Sequence, residues 1–467
     1  MTTPDITRQD PAYDRAALKP RILHIGFGAF SRAHTMWILD RGLDAEGGDW
    51  GVIAARLNSG QDQLDALDAE DGLFHVAAAD GESAVLRQLG CVIGTRHPLR
   101  DGGDALPDLI ADADLRLVTM TITEKGYCQD GGALDRSRED LRTDLAAPRE
   151  PRTAIGILAE GLRRRIEAGA GPITLLSCDN IPSNGRMLHR VLTDYAREID
   201  EGLAGWIDAN CTFPSAMVDR ITPAMDDEGR ALIREALGHD DPNAIVTEPF
   251  LQWVIEDSFA TERPPFAAGG AELVSDVTPF EEMKLRLLNG AHTFLAHAGR
   301  LLGHETVADT MSDADLRDFA RALMLDEQAA TLDMPEDVDV PAYADALIAR
   351  FENTRLRHRL DQIAQDTSQK MPQRLLAALG ENIAAGRAHD RGALAVASWI
   401  AALRDLPPVA DPRGEELREA AATDDPARAV LTLRGIATDP EPLIGPVRDA
   451  LARIDGGGLR AALNAKG

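Results

Sequence analysis

The stretch EEMKLRLLNGAHTFLAHAGRLLG at 281–303 reads mostly as a buried helix, yet it carries Lys284, Asn289 and His292. Their types suit the removal of a proton from an alcohol. A lysine held among Met283, Leu287, Leu288, Phe294 and Leu295 is partly desolvated, which pushes its pKa toward neutrality and makes it a general base. An asparagine amide beside it donates to an alkoxide or carbonyl oxygen, and a histidine holds a neighbouring hydroxyl. At about 100° per residue of α-helix, Asn289 lies about 140° and His292 about 80° around from Lys284, on one side. Thr278-Pro279-Phe280-Glu281 has the order of a helix start, with a threonine cap, proline next and glutamate three residues after the cap. The same spacing also fits a lysine reaching water, an asparagine capping its own backbone and a satisfied core histidine.

Lysine is scarce here. Of 49 basic residues, five are lysines: Lys19, Lys125, Lys284, Lys370 and Lys466. Codon bias accounts for the preference. An interior lysine that survives it marks a place where arginine, which keeps its proton near neutral pH, does not serve.

A second feature is Gly26-Phe27-Gly28-Ala29-Phe30-Ser31, between an apolar run and a helical pattern. This is the setting of a dinucleotide-binding turn: the first glycine allows the turn, and the second lets the backbone approach a pyrophosphate at the next helix's positive end. Ser31 stands at the usual third glycine, which predicts looser helix–strand packing. The residue that would read the ribose is less defined. The second strand ends at Arg56-Leu57-Asn58-Ser59 with no acid, and Asp62 falls in the next helix; Arg56 fits a 2′-phosphate or a plain surface arginine. NAD and NADP both stay open on the residues alone.

Three more segments carry candidates. Ser177-Cys178-Asp179-Asn180 ends a buried strand, where open α/β sheets place ligands; a plain turn is the alternative. Asp219-Arg220 lies inside an apolar run, as a site pair or a structural ion pair. In SQKMPQR, Pro372 as a helix's first residue sets Lys370 and Arg374 around its positive end, a place for a carboxylate or phosphate, or a solvated basic turn.

The elements that must position these residues fall into two halves. Buried-strand runs at 21–28, 50–57, 91–94, 115–123 and 172–179 alternate with helical patterns at 31–43 and 153–169, the rhythm of a parallel α/β sheet. Residues 128–152 read as a surface excursion. Past about 276 strands give way to amphipathic helices at 280–302, 313–331, 341–351, 372–387, 391–405, 414–421 and 444–464. The expected organisation is a doubly wound Rossmann-type domain over 1–276 and a mainly α-helical domain over 277–467, with the boundary in the segment 261–278. A length of 467 residues fits two domains. The formal net charge of −28 argues against nucleic acid and anionic membranes as partners. No apolar run approaches the ~20 residues of a membrane span. A polar N-terminal stretch and four scattered cysteines, Cys91, Cys128, Cys178 and Cys211, fit reduced thiols in a cytoplasm.

Other dehydrogenase chemistries fit poorly. Gly303-His304-Glu305 lacks the later glycine of a zinc-binding motif, having Ala308 there. No tyrosine precedes a lysine by four residues, and the cysteines lack zinc spacing. A metal-free dehydrogenase with a lysine base remains.

HIGFGAFSRAH (24–34), FPSAMVDRITP (213–223) and KLRLLNGAH (284–292) together resemble the polyol-specific long-chain dehydrogenases, the mannitol dehydrogenase family. TITEKGY (121–127) and SCDNIPSNG (177–185) are also similar, and the likeness runs from about 20 to 390. Cys211 departs from the motif, which usually has an aliphatic residue or tyrosine there. The resemblance implies a Rossmann-type domain, a helical domain, a substrate cleft between them and no catalytic metal. It implies that Lys284 is the general base, that Asn180 and Asn289 polarise the reacting oxygen, and that His292 positions substrate. Gly26, Phe27, Gly28, Ala29, Phe30, Arg32, Asn58, Glu124, Val218 and Asp219 would meet the cofactor, expected to be NAD. Asp219, Lys370 and Arg374 would meet the substrate. PFLQWVIEDSFA (249–260), FEEMKLRLLNGAH (280–292) and SQKMPQRLL (368–376) resemble the branch that interconverts D-fructuronate and D-mannonate more than the mannitol or arabinitol branch. A small sugar acid or polyol is the expected partner, and a monomer or small homo-oligomer the expected state.

Overall fold

The computed structural model describes residues 5–355 and 358–465. Contacts divide the chain into two units, Met1–Val277 and Thr278–Gly467.

The first unit is built on a six-stranded parallel sheet. In chain order its strands are β1 (Lys19–Ile25), β2 (Trp50–Ala55), β3 (Val92–Arg96), β4 (Leu117–Met120), β5 (Ile173–Ser177) and β6 (Cys211–Thr212). Their order across the sheet is β6-β5-β4-β1-β2-β3, that of a doubly wound dinucleotide-binding fold. Alternate residues explain why both faces are covered. Leu23, Ile25, Val118 and Leu175 enter one core, while Ile22, Val52, Leu117 and Leu176 enter the other. Such two-sided burial requires near-continuous apolar strands, as the runs at these positions have. β1 sits at the switch point, with Ile25 paired to Ala55 of β2 on one side and Met120 of β4 on the other.

A four-stranded sheet was not foreseen. Asp5–Gln9 runs parallel to Ser83–Leu89, which is antiparallel to Phe74–Ala79, in turn parallel to Ile245–Thr247. A third sheet pairs Ala216–Asp219 with Gln252–Glu256, and the latter with Glu272–Val274. The segment 128–152 is more than the excursion expected. It holds a two-stranded ribbon and the helix Glu139–Ala146, and it sends Cys128, Leu134 and Leu141 into the core. The helical pattern at 31–43 is split: Ala29–Ala33 and Thr35–Glu46 meet at His34, whose φ of −114° and ψ of −79° break the helix. All four cysteines are buried and free.

The second unit is helical. Its central helix, Gly290–Leu301, is buried from Gly290 to Gly299, and Asp390–Asp405 is buried from Gly392 to Ala402. Among the described residues no strand is assigned in it; one isolated bridge joins Thr306 and Arg359. Three segments depart from the α-helices expected: Lys284–Asn289, Leu323–Gln328 and Pro372–Leu376 are π-helical. Each closes with an N–H bonded five residues back, Gly290 to Leu285, Ala329 to Met324 and Ala377 to Pro372. Single π turns inside helices recur at functional sites. Gly290 lets the three segments meet: a Cβ there would lie 2.9 Å from Gln328 Nε2 and 3.0 Å from the Arg374 carbonyl oxygen. Among the described residues no helix is long and apolar enough to cross a membrane.

Candidate active site

In the first unit the turn after β1 forms as its glycines require. Gly26 has φ +94°, and a side chain there would collide with the Thr121 carbonyl. At Gly28 a Cβ would meet nothing nearer than 3.6 Å, so its outer face is open. Ser31 is fully buried, and its hydroxyl accepts from the Gly28 N–H at 3.0 Å and donates to the Gly28 carbonyl at 3.1 Å. The serine thus closes the turn on itself. Gly26 and Gly28 line a cavity of about 510 Å³ with Arg56, Asn58, Ser59 and the segment Thr121–Thr123. It opens at the carboxyl ends of β1, β2 and β4, where this fold takes its ligand.

The other expected cofactor residues are placed variously. Phe27 is fully buried, edge-on to Phe74, so any part it takes is through its backbone. Ala29 is half-buried, and Phe30 stacks on His34 at 4.7 Å. Arg32 is buried; its Nε donates to the Gly28 carbonyl at 3.1 Å and its Nη1 to the Asn243 carbonyl, bracing the turn from beneath. Desolvation pulls its pKa down to about 10. Arg56 reaches Gln63 Oε1 and the Phe27 carbonyl rather than an acid. Glu124 is exposed and accepts from Gln129 Nε2 at 2.8 Å. Val218 and Asp219 are buried at the end of the strand Ala216–Asp219. The neighbouring Arg220 donates to the carbonyls of Ala33 and Glu248 and lies over the Trp37 ring at 4.7 Å.

Asn180 follows β5 and is exposed. Its neighbour Asp179 ties the segment after β4 in place, accepting from the N–H groups of Ile122 at 2.8 Å and Thr123 at 3.0 Å and from the Tyr127 hydroxyl at 2.8 Å. Thr123 holds φ +64°, a strained value for a β-branched residue, and the Asp179 carboxylate holds it there.

In the second unit Lys284 is 8 % exposed at the start of the first π segment, and Asn289 ends it. Bonding five residues back places Asn289 roughly one turn from Lys284, on nearly the same face. The 140° separation expected of an α-helix is therefore corrected. Asn289 is anchored by Thr293, whose hydroxyl donates to the Asn289 carbonyl at 2.8 Å and accepts from Arg374 Nη1 at 3.2 Å. His292 is 7 % exposed; its ring packs on Phe351 at 4.5 Å and stands edge-on to His358 at 5.3 Å. Desolvation, then the charges of His358, Arg350 and Arg374, lower its pKa well below the usual histidine value.

The helix expected to start at Pro372 does not. Thr367–Met371 already runs into Pro372–Leu376, so the proline lies inside a helical run and offers no positive end to an anion. The side chains nonetheless stay near one another's fields. Lys370 Nζ donates to the carbonyls of Gln365 at 2.6 Å and Ile363 at 3.4 Å, and its pKa is lowered by desolvation and by Arg374. Desolvation lowers the Arg374 pKa to about 10. Arg350, Phe351 and His358 were not found from the sequence, because proximity to His292 is tertiary and leaves no spacing signal. Among the described residues no group of three or more His, Cys, Asp or Glu side chains could hold a metal ion.

Two family models match the chain: the mannitol dehydrogenase Rossmann domain over residues 20–268 and the mannitol dehydrogenase C-terminal domain over 276–438. An uncharacterized oxidoreductase of Escherichia coli (strain K12), YeiQ, is 44 % identical over 447 residues, 92 % of this chain and 91 % of its own length. The D-mannonate oxidoreductase of the same organism is 41 % identical over 472 residues, 97 % of each chain. The solved ternary complex of Pseudomonas fluorescens mannitol 2-dehydrogenase with NAD and D-mannitol matches with a TM-score of 0.80 at 32 % identity, covering 98 % of this chain and 96 % of that one.

Proposed function

The chain belongs to the mannitol dehydrogenase family, and from that premise we propose that it is an NAD-dependent fructuronate reductase, interconverting D-mannonate and D-fructuronate. The observation that carries the sugar-acid reading is the charge around His292. The groups whose fields bear on it are His358, Arg350 and Arg374, and those bearing on His358 are Arg350 and Lys370. Every one is basic, in a chain of net charge −28, although Asp366 and Asp411 also act on Lys370. A carboxylate suits such surroundings better than a neutral polyol does.

The first unit supplies a fitting cofactor cradle. The open face of Gly28, the left-handed Gly26 and the cavity they line suit a pyrophosphate-bearing ligand. Gly26, Gly28, Asn58 and Thr123 would hold the dinucleotide, with the remaining expected residues, Phe27, Ala29, Phe30, Arg32, Glu124, Val218 and Asp219, shaping the turn and its surroundings. NAD, when bound, would supply the acceptor for the hydride from C5 of mannonate, and NADH the hydride for the reverse direction. Lys284 takes the hydroxyl proton as the alcohol becomes a ketone, and gives it back in reduction. A lysine withdrawn from water gives up its proton more readily than an exposed one, as a general base must. Asn289 and Asn180 would donate to the reacting oxygen, and His292, neutral in its buried setting, would hold an adjacent hydroxyl.

A second reading, a mannitol- or arabinitol-type polyol 2-dehydrogenase, is favoured by the likeness to the mannitol complex and by Lys370, which spends two donors on backbone carbonyls. Oxidation of D-mannonate, D-mannitol and D-arabinitol, each with NAD and NADP and followed by reduced-nicotinamide absorbance, decides between them. A clear preference for mannonate with NAD is expected. A preference for a neutral polyol overturns the sugar-acid reading and keeps the lysine chemistry.

A further inference from the structure

We propose that the loop after β2 carries a 2′-phosphate site centred on Arg56, so that the chain takes NADP as well as NAD. The inference rests on the dinucleotide reading of the first unit's cavity and goes beyond it by adding a second cofactor.

A doubly wound fold places the 2′ position of the adenosine ribose just past the end of the second strand. An acid there accepts from the free hydroxyl and repels a phosphate, whereas an arginine receives the phosphate. β2 ends at Ala55, and Arg56-Leu57-Asn58-Ser59-Gly60 follows with no acid. Arg56, Asn58 and Ser59 line the same cavity of about 510 Å³ as Gly26 and Gly28. The proposed site is therefore continuous with the place suited to the pyrophosphate.

Arg56 is mounted for this task. Its Nη1 donates to Gln63 Oε1 and, at 3.5 Å, to the Phe27 carbonyl. Both acceptors are neutral. Its Nε and Nη2 make no hydrogen bond with a described residue, and these two form the side-on fork that an arginine presents to a phosphate. Gly60, at φ +84°, makes room: a side chain there would strike the guanidinium. Asn58 and Ser59 are exposed beside it and supply further donors. The surrounding acids are engaged elsewhere or stand aside. Asp140 lines the cavity but accepts from Arg138 at 2.6 and 3.0 Å. Asp65, Asp68 and Asp101 pair with Arg100, and Asp241 with His75. Asp62 is exposed and outside the cavity lining. Arg152 adds another cation to that lining.

The test is fluorescence titration of the full-length wild type, Arg56→Ala, Arg56→Lys and Asn58→Asp with NADPH and with NADH. It needs no substrate, so it stands apart from the choice between mannonate and a polyol. With no acid to repel the phosphate, the wild type should bind NADPH within about 10-fold of NADH. Arg56→Ala should lower NADPH affinity relative to NADH about 10- to 100-fold. Arg56→Lys, which keeps the charge and loses the fork, should recover part of it. Asn58→Asp, which supplies the missing acid, should turn the ratio toward NADH. A wild type that binds NADPH more than about 10-fold more weakly than NADH, or an unchanged ratio in Arg56→Ala, overturns the proposal. Should Arg56→Ala not fold, Arg56→Gln is read by the same ratio. If neither dinucleotide binds, the cofactor reading of the cavity fails and the inference with it. If NADH binds and NADPH does not, the inference alone fails.

Discussion

Replacing Gly290 by alanine sets two opposed effects against each other. Gly290 has helical dihedrals, φ −62° and ψ −51°, so on propensity alone alanine should stabilise by about 1 kcal/mol. Its Cβ, however, would sit 2.9 Å from Gln328 Nε2 and 3.0 Å from the Arg374 carbonyl oxygen, the two atoms that hydrogen-bond each other at 3.2 Å. Forcing an extra methyl into a packed interior costs about 1–3 kcal/mol, and loss of the Gln328 bond adds about 0.5–1.5 kcal/mol. The clash wins, leaving a net loss of about 0.5–3.5 kcal/mol and a Tm lower by several degrees, at about 2–4 °C per kcal/mol. Arg374 is displaced with its carbonyl, so the Arg374–Thr293–Asn289 chain loosens and kcat falls too. Scanning calorimetry and steady-state rates on one preparation read both effects. A Gly290→Ala protein more stable than the wild type, with unchanged kcat, would refute the reasoning that this glycine exists for close approach.

Other expectations follow from the same geometry. Lys284→Ala should lower kcat by about 10²- to 10⁴-fold while NADH still binds, as read by titration calorimetry; retained turnover removes the lysine from its proposed role. Stability should fall with acid, because His24 and His297 are fully buried and desolvation holds both at about 3. Below the ordinary histidine value of about 6.5 the unfolded chain takes up protons that the folded chain refuses. Each histidine then removes up to about 1.4 kcal/mol per pH unit until its folded pKa is reached. A His297→Gln variant should show a shallower fall in Tm between about pH 6.5 and 4; parallel curves would show that His297 is not a source of it.

The sequence was most legible where chemistry and local pattern coincide. Continuous apolar runs marked β1, β2, β4 and β5, because a sheet covered on both faces leaves no polar alternation to confuse. The glycine turn was legible because φ +94° at Gly26 demands its residue type. The strands Phe74–Ala79 and Ser83–Leu89 were missed. The first is rich in alanine, a weak strand former, and the second carries Arg87, which is buried only because Asp40 and Asp44 meet its guanidinium. Lys284, Asn289 and His292 were read as one set, but with the wrong angle between the first two, since nothing in Lys-Leu-Arg-Leu-Leu-Asn announces a π turn. His358 was invisible because its neighbours are brought from elsewhere in the chain.

The three π segments bear on how the helices depend on one another. Leucine, arginine, glutamine and methionine, which fill these stretches, favour the α-helix. Each segment, taken alone, would wind in the ordinary way. The wider turns exist because Gly290, Gln328 and the Arg374 carbonyl meet, and that meeting needs all three helices docked. The wide turns therefore belong to the packed state: these residues alone favour the α register, and the close approach holds the wide one. The placement of Lys284, Asn289 and Arg374 depends on that packing. Loosening any one of the three helices should therefore disturb all three segments together.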